Sequence, residues 1–444
     1  MQSIKHFYQV KLCPALESRW FLIACLIIAF ALRLVWALAM NNEQTNDYAW
    51  YFDRGMSIAE GNGYSVDGSP TAFFPVGYPA FLGLLFAIFE PSETLAKLAN
   101  IILYMGIIVL SAALTRELFK SRVAAGLTAL ILTFYPNHIA YSALLVSETL
   151  FTFLVLLGVW LIIRAKEKAW IGIVAGIVLG YSALTRQQGL LVPAIAIILF
   201  AKHDWKNGLR LPWIKLFVIV HIGMMMTILP WTVRNYTVFK HFVPISLNPG
   251  VNLLMGNNPY ATGSFSTDPR ILELVSGGTN EWEWNQLGQQ YAVNYIKTHP
   301  MQTLKLLPKK LFYTFSGDTD SFDWIIYGTR DGRDFKLPLL ITKTYYRILM
   351  LIFFTAMCLY VYRRRGNATI LPLPTLGLWL MVFWTAMCLV TFGENRFHYP
   401  MMPWIIMYIT AMVGSPVYRR KPAETTVEPV NEPATKSSVP LAGS

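Results

Sequence analysis

The strongest constraint on this chain is a succession of apolar runs long enough to cross a bilayer as helices. A span needs about 20 apolar residues to cover a hydrocarbon core ~30 Å thick. Such runs fall near 20–40, 95–115, 122–138, 140–163, 169–185, 189–202 and 212–232, and again near 338–361, 369–391 and 398–415. The expected fold class is an all-α polytopic membrane protein of about ten transmembrane helices, with interfacial helices and a small extracytoplasmic domain. Composition agrees, with 55% hydrophobic and 14% charged residues against roughly 45–50% and 25% in soluble domains. The apolar stretch from Gly77 to Phe89 is short and contains Pro79, which predicts a helix at the interface rather than a span.

Charge orients these spans. With the amino terminus inside, every inside loop is basic: Arg116/Lys120/Arg122, Arg164/Lys166/Lys168, Lys202/Lys206/Arg210/Lys215, Arg363/Arg364/Arg365 and Arg419/Arg420/Lys421, as the positive-inside rule requires. Counting 77–89 as a span would move the clusters from Arg116 to Lys215 outside. The net charge of +12 therefore reports orientation in a plasma (inner) membrane, with both termini cytoplasmic, and no nucleic-acid partner is expected. Cys13, Cys25, Cys358 and Cys388 lie in or beside apolar segments without metal-ligand spacing, so neither a disulfide framework nor a metal site is indicated. No cofactor is implied, and a divalent metal is left open. Lys5, Lys11 and Arg19 precede a first run longer than a signal-peptide core, read as a retained helix.

Four regions follow: residues 1–232, a transmembrane module of seven spans with a first outer loop at 41–94; 233–337, an extracytoplasmic or interfacial segment; 338–416, three more spans; and 417–444, a cytoplasmic tail without periodicity, expected to be disordered. Chemistry should face outward. The first outer loop combines Asp47 with Tyr48, Trp50, Tyr51 and Tyr64 around Gly61-Asn62-Gly63. A carboxylate just beyond a spanning helix can meet a soluble hydroxyl on one side and a lipid-linked group on the other, so Asp47 is the catalytic candidate, with Tyr51 and Tyr64 orienting substrate.

Glu148 is expected about eight residues into its helix, on the order of 12 Å from the end, where a carboxylate needs a partner or water. It either pairs with Arg186 or lines a cavity that orients substrate, and the two roles are compatible. Arg186, Arg234, Lys309, Lys310 and Arg396 are outward basic residues that the positive-inside rule disfavours. Each one alone fits snorkelling to membrane lipid headgroups. A phosphate-bearing lipid substrate accounts for several at once, which makes Arg396, Arg234, Arg186 and Lys310 phosphate-binding candidates, with His398 as an assistant or a structural residue. Asp318, Asp320 and Asp323 lack the glycine and terminal glutamate of a calcium loop and read as solvated turn residues. No nucleotide-binding or zinc-protease motif occurs.

Six motifs in order then resemble the C-type membrane glycosyltransferases, in particular bacterial relatives of the dolichyl-phosphate-mannose protein mannosyltransferases and of the lipid A aminoarabinose transferase. They are Asn46-Asp47-Tyr48 through Gly61-Asn62-Gly63-Tyr64, Phe73-Phe74-Pro75-Val76-Gly77-Tyr78-Pro79, Ser147-Glu148-Thr149-Leu150-Phe151, Leu184-Thr185-Arg186-Gln187-Gln188-Gly189, Pro230-Trp231-Thr232-Val233-Arg234-Asn235-Tyr236 and Gly393-Glu394-Asn395-Arg396-Phe397-His398-Tyr399-Pro400. The resemblance implies a polyprenyl-phosphate sugar donor, a hydroxyl acceptor on a cell-surface glycan, lipid or protein, transfer on the outer face, and the first-loop acidic residue, here Asp47, as the catalytic group. Two departures stand out. The first loop has Asn46-Asp47 where many relatives carry two carboxylates, and Arg186-Gln187-Gln188-Gly189 replaces an Arg-Pro-Glu-Gly pattern. The expected chemistry is an inverting displacement by a hexosyl- or pentosyltransferase. The alternative from another class is a transporter or flippase of a lipid-linked sugar, although the midplane sites on broken helices typical of transporters have no counterpart in the pattern.

Overall fold

The computed structural model of the protein describes residues 13–40, 42–165, 168–206, 211–329, 334–365 and 374–414. The tail expected at 417–444, with Arg419, Arg420 and Lys421, lies outside these residues, as do Lys5, Lys11, Lys166 and Arg210. Among the described residues the chain is helical apart from a two-stranded hairpin, Ser65–Val66 against Ser69–Pro70. Asp67 and Gly68 make its turn, both at positive φ (49° and 77°), as an Asp-Gly hairpin turn requires.

The protein is a multi-pass membrane protein. Five helices are long and apolar enough to cross a membrane, Arg19–Ala39, Glu93–Phe119, Ser147–Ala165, Leu211–Phe239 and Lys336–Arg365, and the bent pair Arg122–Thr133 and Pro136–Ala143 makes a sixth. Length alone thus gives five or six spans where ten runs are apolar. Ala169–Thr185, Gln187–Ala201 and Leu376–Val390 are apolar but shorter; the first has 17 residues, about 26 Å at 1.5 Å per residue. Gly77–Ile88 has 12 residues and is too short to cross, as its length and Pro79 predict.

Helix starts follow local chemistry. The Ser18, Ser92 and Ser121 side chains accept hydrogen bonds from Trp20, Leu95 and Ala124 amides, satisfying amides that a helix start leaves open. The run expected as one helix from 140 to 163 is instead broken. Pro136–Ala140 and a 3-10 turn at Tyr141–Ala143 precede a new helix starting at Ser147. Glu148 therefore stands in the first turn of that helix, not eight residues inside it.

Small residues set a close helix contact between Ala169–Thr185 and Leu211–Phe239. A Cβ on Gly176 would fall on the Val220 carbonyl, and one on Gly223 on the Ile173 carbonyl. Close backbone approach through small residues is how helices associate in lipid, where apolar burial gives little drive. Replacing Gly223 by leucine forces these helices apart. The expected cost is about 1–3 kcal/mol, read as a lowered Tm of the detergent-solubilised protein; an unshifted Tm contradicts this packing.

Candidate active site

The first outer loop folds back on itself. Asp47–Ala59 is a helix lying against Gly77–Ile88, in contact where a Cβ on Gly55 would meet Leu82 at 2.8 Å and one on Gly83 would meet Ile58. The chain enters the first helix through Asn46, at φ 50°, a left-handed value that asparagine tolerates better than most residues. This turn puts Asp47 in the first helical turn, where free amides favour an anionic side chain.

Across from it, the 3-10 segment Asn395–Met401 presents Arg396. Its Nη1 donates to Asp47 Oδ2 at 2.8 Å and its Nε to Glu394 Oε2 at 2.9 Å. The Asp47 and Arg396 side chains are 24% and 18% exposed, so the pair is largely, but not wholly, shielded from solvent. Burial works against the Arg396 charge, but Glu394, Asp47 and Glu148 outweigh it and hold the guanidinium protonated far above its ordinary range. Burial pushes the Glu394 carboxyl up, and Arg396 pulls it back.

A second ion pair borders the first. Arg186 Nη1 lies 2.6 Å from Glu148 Oε1, with Glu148 3% exposed, and also donates to Ser147 Oγ at 3.2 Å. The Tyr51 hydroxyl is 3.4 Å from the same Ser147 Oγ. The pairing of Glu148 with Arg186 is as the sequence suggested. Both guanidinium groups border one ring, that of Phe397, at 5.9 Å for Arg186 and 5.8 Å for Arg396. Asp47, Arg396, Glu394, Glu148, Arg186 and Tyr51 thus form one site.

The remaining candidates lie elsewhere. Arg234 donates to the carbonyls of Thr71 and Tyr64, both at 2.8 Å, clamping the first loop from the Leu211–Phe239 helix. Tyr64 is buried and its hydroxyl donates to the Phe74 carbonyl at 3.0 Å. On the other side, the Glu281 carboxylate accepts from Thr71 Oγ1 and from the Ala72 amide at 2.9 Å. Lys310 is fully buried; its Nζ donates to Asn257 Oδ1 and to the Leu389 carbonyl, each at 3.0 Å, and burial pulls its pKa down to about 8. His398 is fully buried, with Nδ1 at 2.7 Å from the Thr314 carbonyl and Nε2 at 3.0 Å from Asp318 Oδ1, so both ring nitrogens are engaged. Among the described residues, no three His, Cys, Asp or Glu side chains converge as a metal site.

Two features escape the sequence pattern. Asp318 and Asp320, expected to be solvated, are 2% and 6% exposed. Asp318 accepts from Tyr135, Asn137 and His398, and Asp320 from Tyr141, which ties the segment after Pro300–Phe315 to the 135–141 turn. Asp323 is exposed as expected. Arg33, inside the first spanning helix, is fully buried; it donates to the carbonyls of Ala29, Leu132 and Thr133 and lies 3.8 Å from the Tyr104 ring centroid. A lone arginine in an apolar run was the available signal.

Burial pushes the Asp320 carboxyl from 3.8 up to about 7. Between these values the folded protein holds a proton that the unfolded chain has released, so stability is present in full at low pH and declines as pH rises toward about 7. We expect Asp320→Asn to remove a decline of a few kcal/mol between about pH 4 and about pH 7, measured as Tm against pH in detergent. Equal slopes in the two proteins contradict the assignment.

Comparison with known proteins agrees with the loop motifs. Residues 74–231, a little over a third of the chain, match the family described as dolichyl-phosphate-mannose-protein mannosyltransferase. No curated protein sequence matches the chain. Among solved structures, the archaeal oligosaccharyltransferase AglB from Archaeoglobus fulgidus, in complex with an inhibitory peptide and a dolichol-phosphate, aligns at TM-score 0.48 and 17% identity over 89% of this chain and 50% of its own. ArnT from Cupriavidus metallidurans, bound to undecaprenyl phosphate, aligns at TM-score 0.39 and 15% identity over 89% of this chain and 77% of its own. The chain thus spans about half the length of AglB. Across residues 74–231 it is similar to the dolichyl-phosphate-mannose-protein mannosyltransferases, a family its own loop motifs also resemble.

Proposed function

We propose that the protein is an integral-membrane glycosyltransferase. It moves a hexosyl or pentosyl group from a polyprenyl-phosphate donor to a hydroxyl on a cell-surface glycan, lipid or protein. The active site faces the outer side of the plasma membrane and both termini are cytoplasmic, as the basic inside loops favour. The observation that carries this reading is the Asp47–Arg396 pair, 2.8 Å apart and partly open, beside Arg186 and Glu148. It joins a base to a fixed cation where a lipid phosphate and a soluble hydroxyl can meet.

In this reading the acceptor oxygen attacks the anomeric carbon, and the bond from that carbon to the phosphate oxygen breaks with its electron pair leaving on polyprenyl phosphate. The hydroxyl proton passes to Asp47, and the configuration inverts because attack and departure take opposite faces. Asp47 Oδ2 is held by Arg396, which leaves Oδ1 to accept the proton. General-base help of this kind contributes about 10²–10⁴ in rate. Phosphate departs as a stable anion, so what the site must supply is positive charge. Arg396 uses Nε and Nη1 on Glu394 and Asp47 and keeps Nη2 for a phosphate oxygen; Arg186, 5.9 Å from the Phe397 ring, is a second cation.

The three helical regions then divide the work: 1–232 carries Asp47, Glu148 and Arg186, 338–416 carries Arg396, and 233–337 covers the loop and helps exclude water, a competing acceptor. Lys310, Arg234 and His398 act here by holding loops rather than by touching phosphate. Asp47→Asn should lower transfer by about 10²–10⁴ while leaving membrane insertion intact. The test compares envelope glycans, glycolipids and glycoproteins by mass spectrometry from cells with either form. Loss of one sugar mass supports the reading; an identical profile with both proteins equally inserted moves it to a lipid-linked-sugar transporter.

A further inference from the structure

Beside the clamped first loop lies an open cleft of about 320 Å³. It forms where the Pro249–Gly256 helix meets the Glu281–Thr298 helix. The two touch backbone to backbone, since a Cβ on Gly250 would fall on the Asn285 carbonyl and one on Gly288 would lie 2.8 Å from Gly250. The side chains that this contact pushes aside line the cleft.

Their chemistry is specific. Trp282, Asn285, Gln286 and Gln289 all line it, and their spacing of three, four and seven residues from Trp282 puts them on one helix face. Asn285 is fixed by accepting the Gly250 amide at 2.7 Å through Oδ1, leaving its amide nitrogen to donate. The Trp282 ring is held by stacking on His241, 4.1 Å between centroids and 5° from parallel. Among the described residues that line the cleft, none is charged. The fixed Asn285 amide and the Gln286 and Gln289 amides, beside an aromatic plate, offer donors, acceptors and a flat apolar face together, which fits a ligand rich in hydroxyls and without charge. A phosphate group finds no cation here, so the donor is poorly matched to this cleft.

Hydrogen bonds and chain connectivity link the cleft wall to the site. Ser246, in its wall, accepts a hydrogen bond from Gln187 and donates to Asn248 at 2.9 Å. Gln187 is the neighbour of Arg186, which pairs with Glu148, and Glu281, one residue before Trp282, holds Thr71 and Ala72 of the loop that follows Asp47. We propose that this cleft binds the acceptor, and that the acceptor is a neutral glycan whose sugar rings lie on Trp282 and the Asn285, Gln286 and Gln289 amides. The inference rests on the transferase reading for the word acceptor, but the binding of neutral sugar can be measured without it.

The test is saturation-transfer NMR on the full chain in lipid nanodiscs. The probes are methyl α-mannoside, methyl β-galactoside and maltopentaose, with glucuronate and inorganic phosphate as charged comparisons. Transfer to at least one neutral probe, weakened about tenfold or more in apparent affinity by Gln286→Ala with Gln289→Ala, is the expected result, a loss matching roughly one or two hydrogen bonds. Trp282→Phe, which keeps an aromatic ring, should bind more tightly than Trp282→Ala. Neutral-probe binding that survives the double variant overturns the proposal, as does binding of the charged probes alone. Signal confined to lipid acyl chains at these residues also overturns it. Because the readout is binding, a failed cleft leaves the Asp47→Asn transfer result standing, and a failed transferase reading leaves sugar binding in place.

Discussion

The interaction on which the rest depends is the placement of one guanidinium between two carboxylates from distant parts of the chain. Asp47 follows the first spanning helix and Arg396 precedes the last helix, yet the two are 2.8 Å apart with Glu394 at 2.9 Å. Each charge is largely shielded from water, and each lowers the cost of burying the others. The pair therefore acts as a fastener: it closes the amino-terminal loop against the carboxy-terminal helices at the same point where the proposed chemistry occurs.

Around it, other cations work as struts. Arg234 holds the carbonyls of Tyr64 and Thr71, and Lys310 holds the carbonyl of Leu389 at the end of Leu376–Val390. A helix end leaves its last carbonyls unpaired, and a buried ammonium satisfies one while its own charge is met by Asn257 Oδ1. Gly393 approaches the Lys310 backbone so closely that a Cβ would fall on the Lys310 carbonyl. The loop bearing Glu394 and Arg396 is thus pressed onto a strut, and its aim at Asp47 is set by packing as well as by charge.

This arrangement explains what the sequence made legible. Charges are few in apolar runs, so Asp47, Glu148, Arg186 and Arg396 stood out, and pairing was the cheapest resolution for them. The same reasoning made Arg234 and Lys310 phosphate candidates and left His398 open between assisting and structural roles, whereas the structure engages Arg234 and Lys310 with main-chain carbonyls. A phosphate and a main-chain carbonyl both recruit an outward cation, and spacing along the chain does not distinguish an acceptor that comes from a residue 163 positions away. Burial of Asp318 and Asp320 was equally hidden, because their donors are Tyr135, Asn137, Tyr141 and His398, contributed by segments remote in sequence. The depth of Glu148 depended on a helix boundary, and boundaries near Pro136 shift with tertiary contacts that hydropathy does not contain.

The charge count at the site has a mechanistic consequence. Three carboxylates, Asp47, Glu148 and Glu394, face two guanidinium groups, Arg186 and Arg396. Burial raises the Glu394 carboxyl and Arg396 pulls it back, so the excess negative charge is met chiefly by the guanidinium that Glu394 and Asp47 share. In the proposed reaction, a phosphate oxygen meets Arg396 at Nη2 while Nη1 stays on Asp47 Oδ2. Asp47 thus keeps Oδ1 for the acceptor hydroxyl while the same guanidinium meets the donor phosphate, so the base and the cation for the leaving group are positioned by one contact.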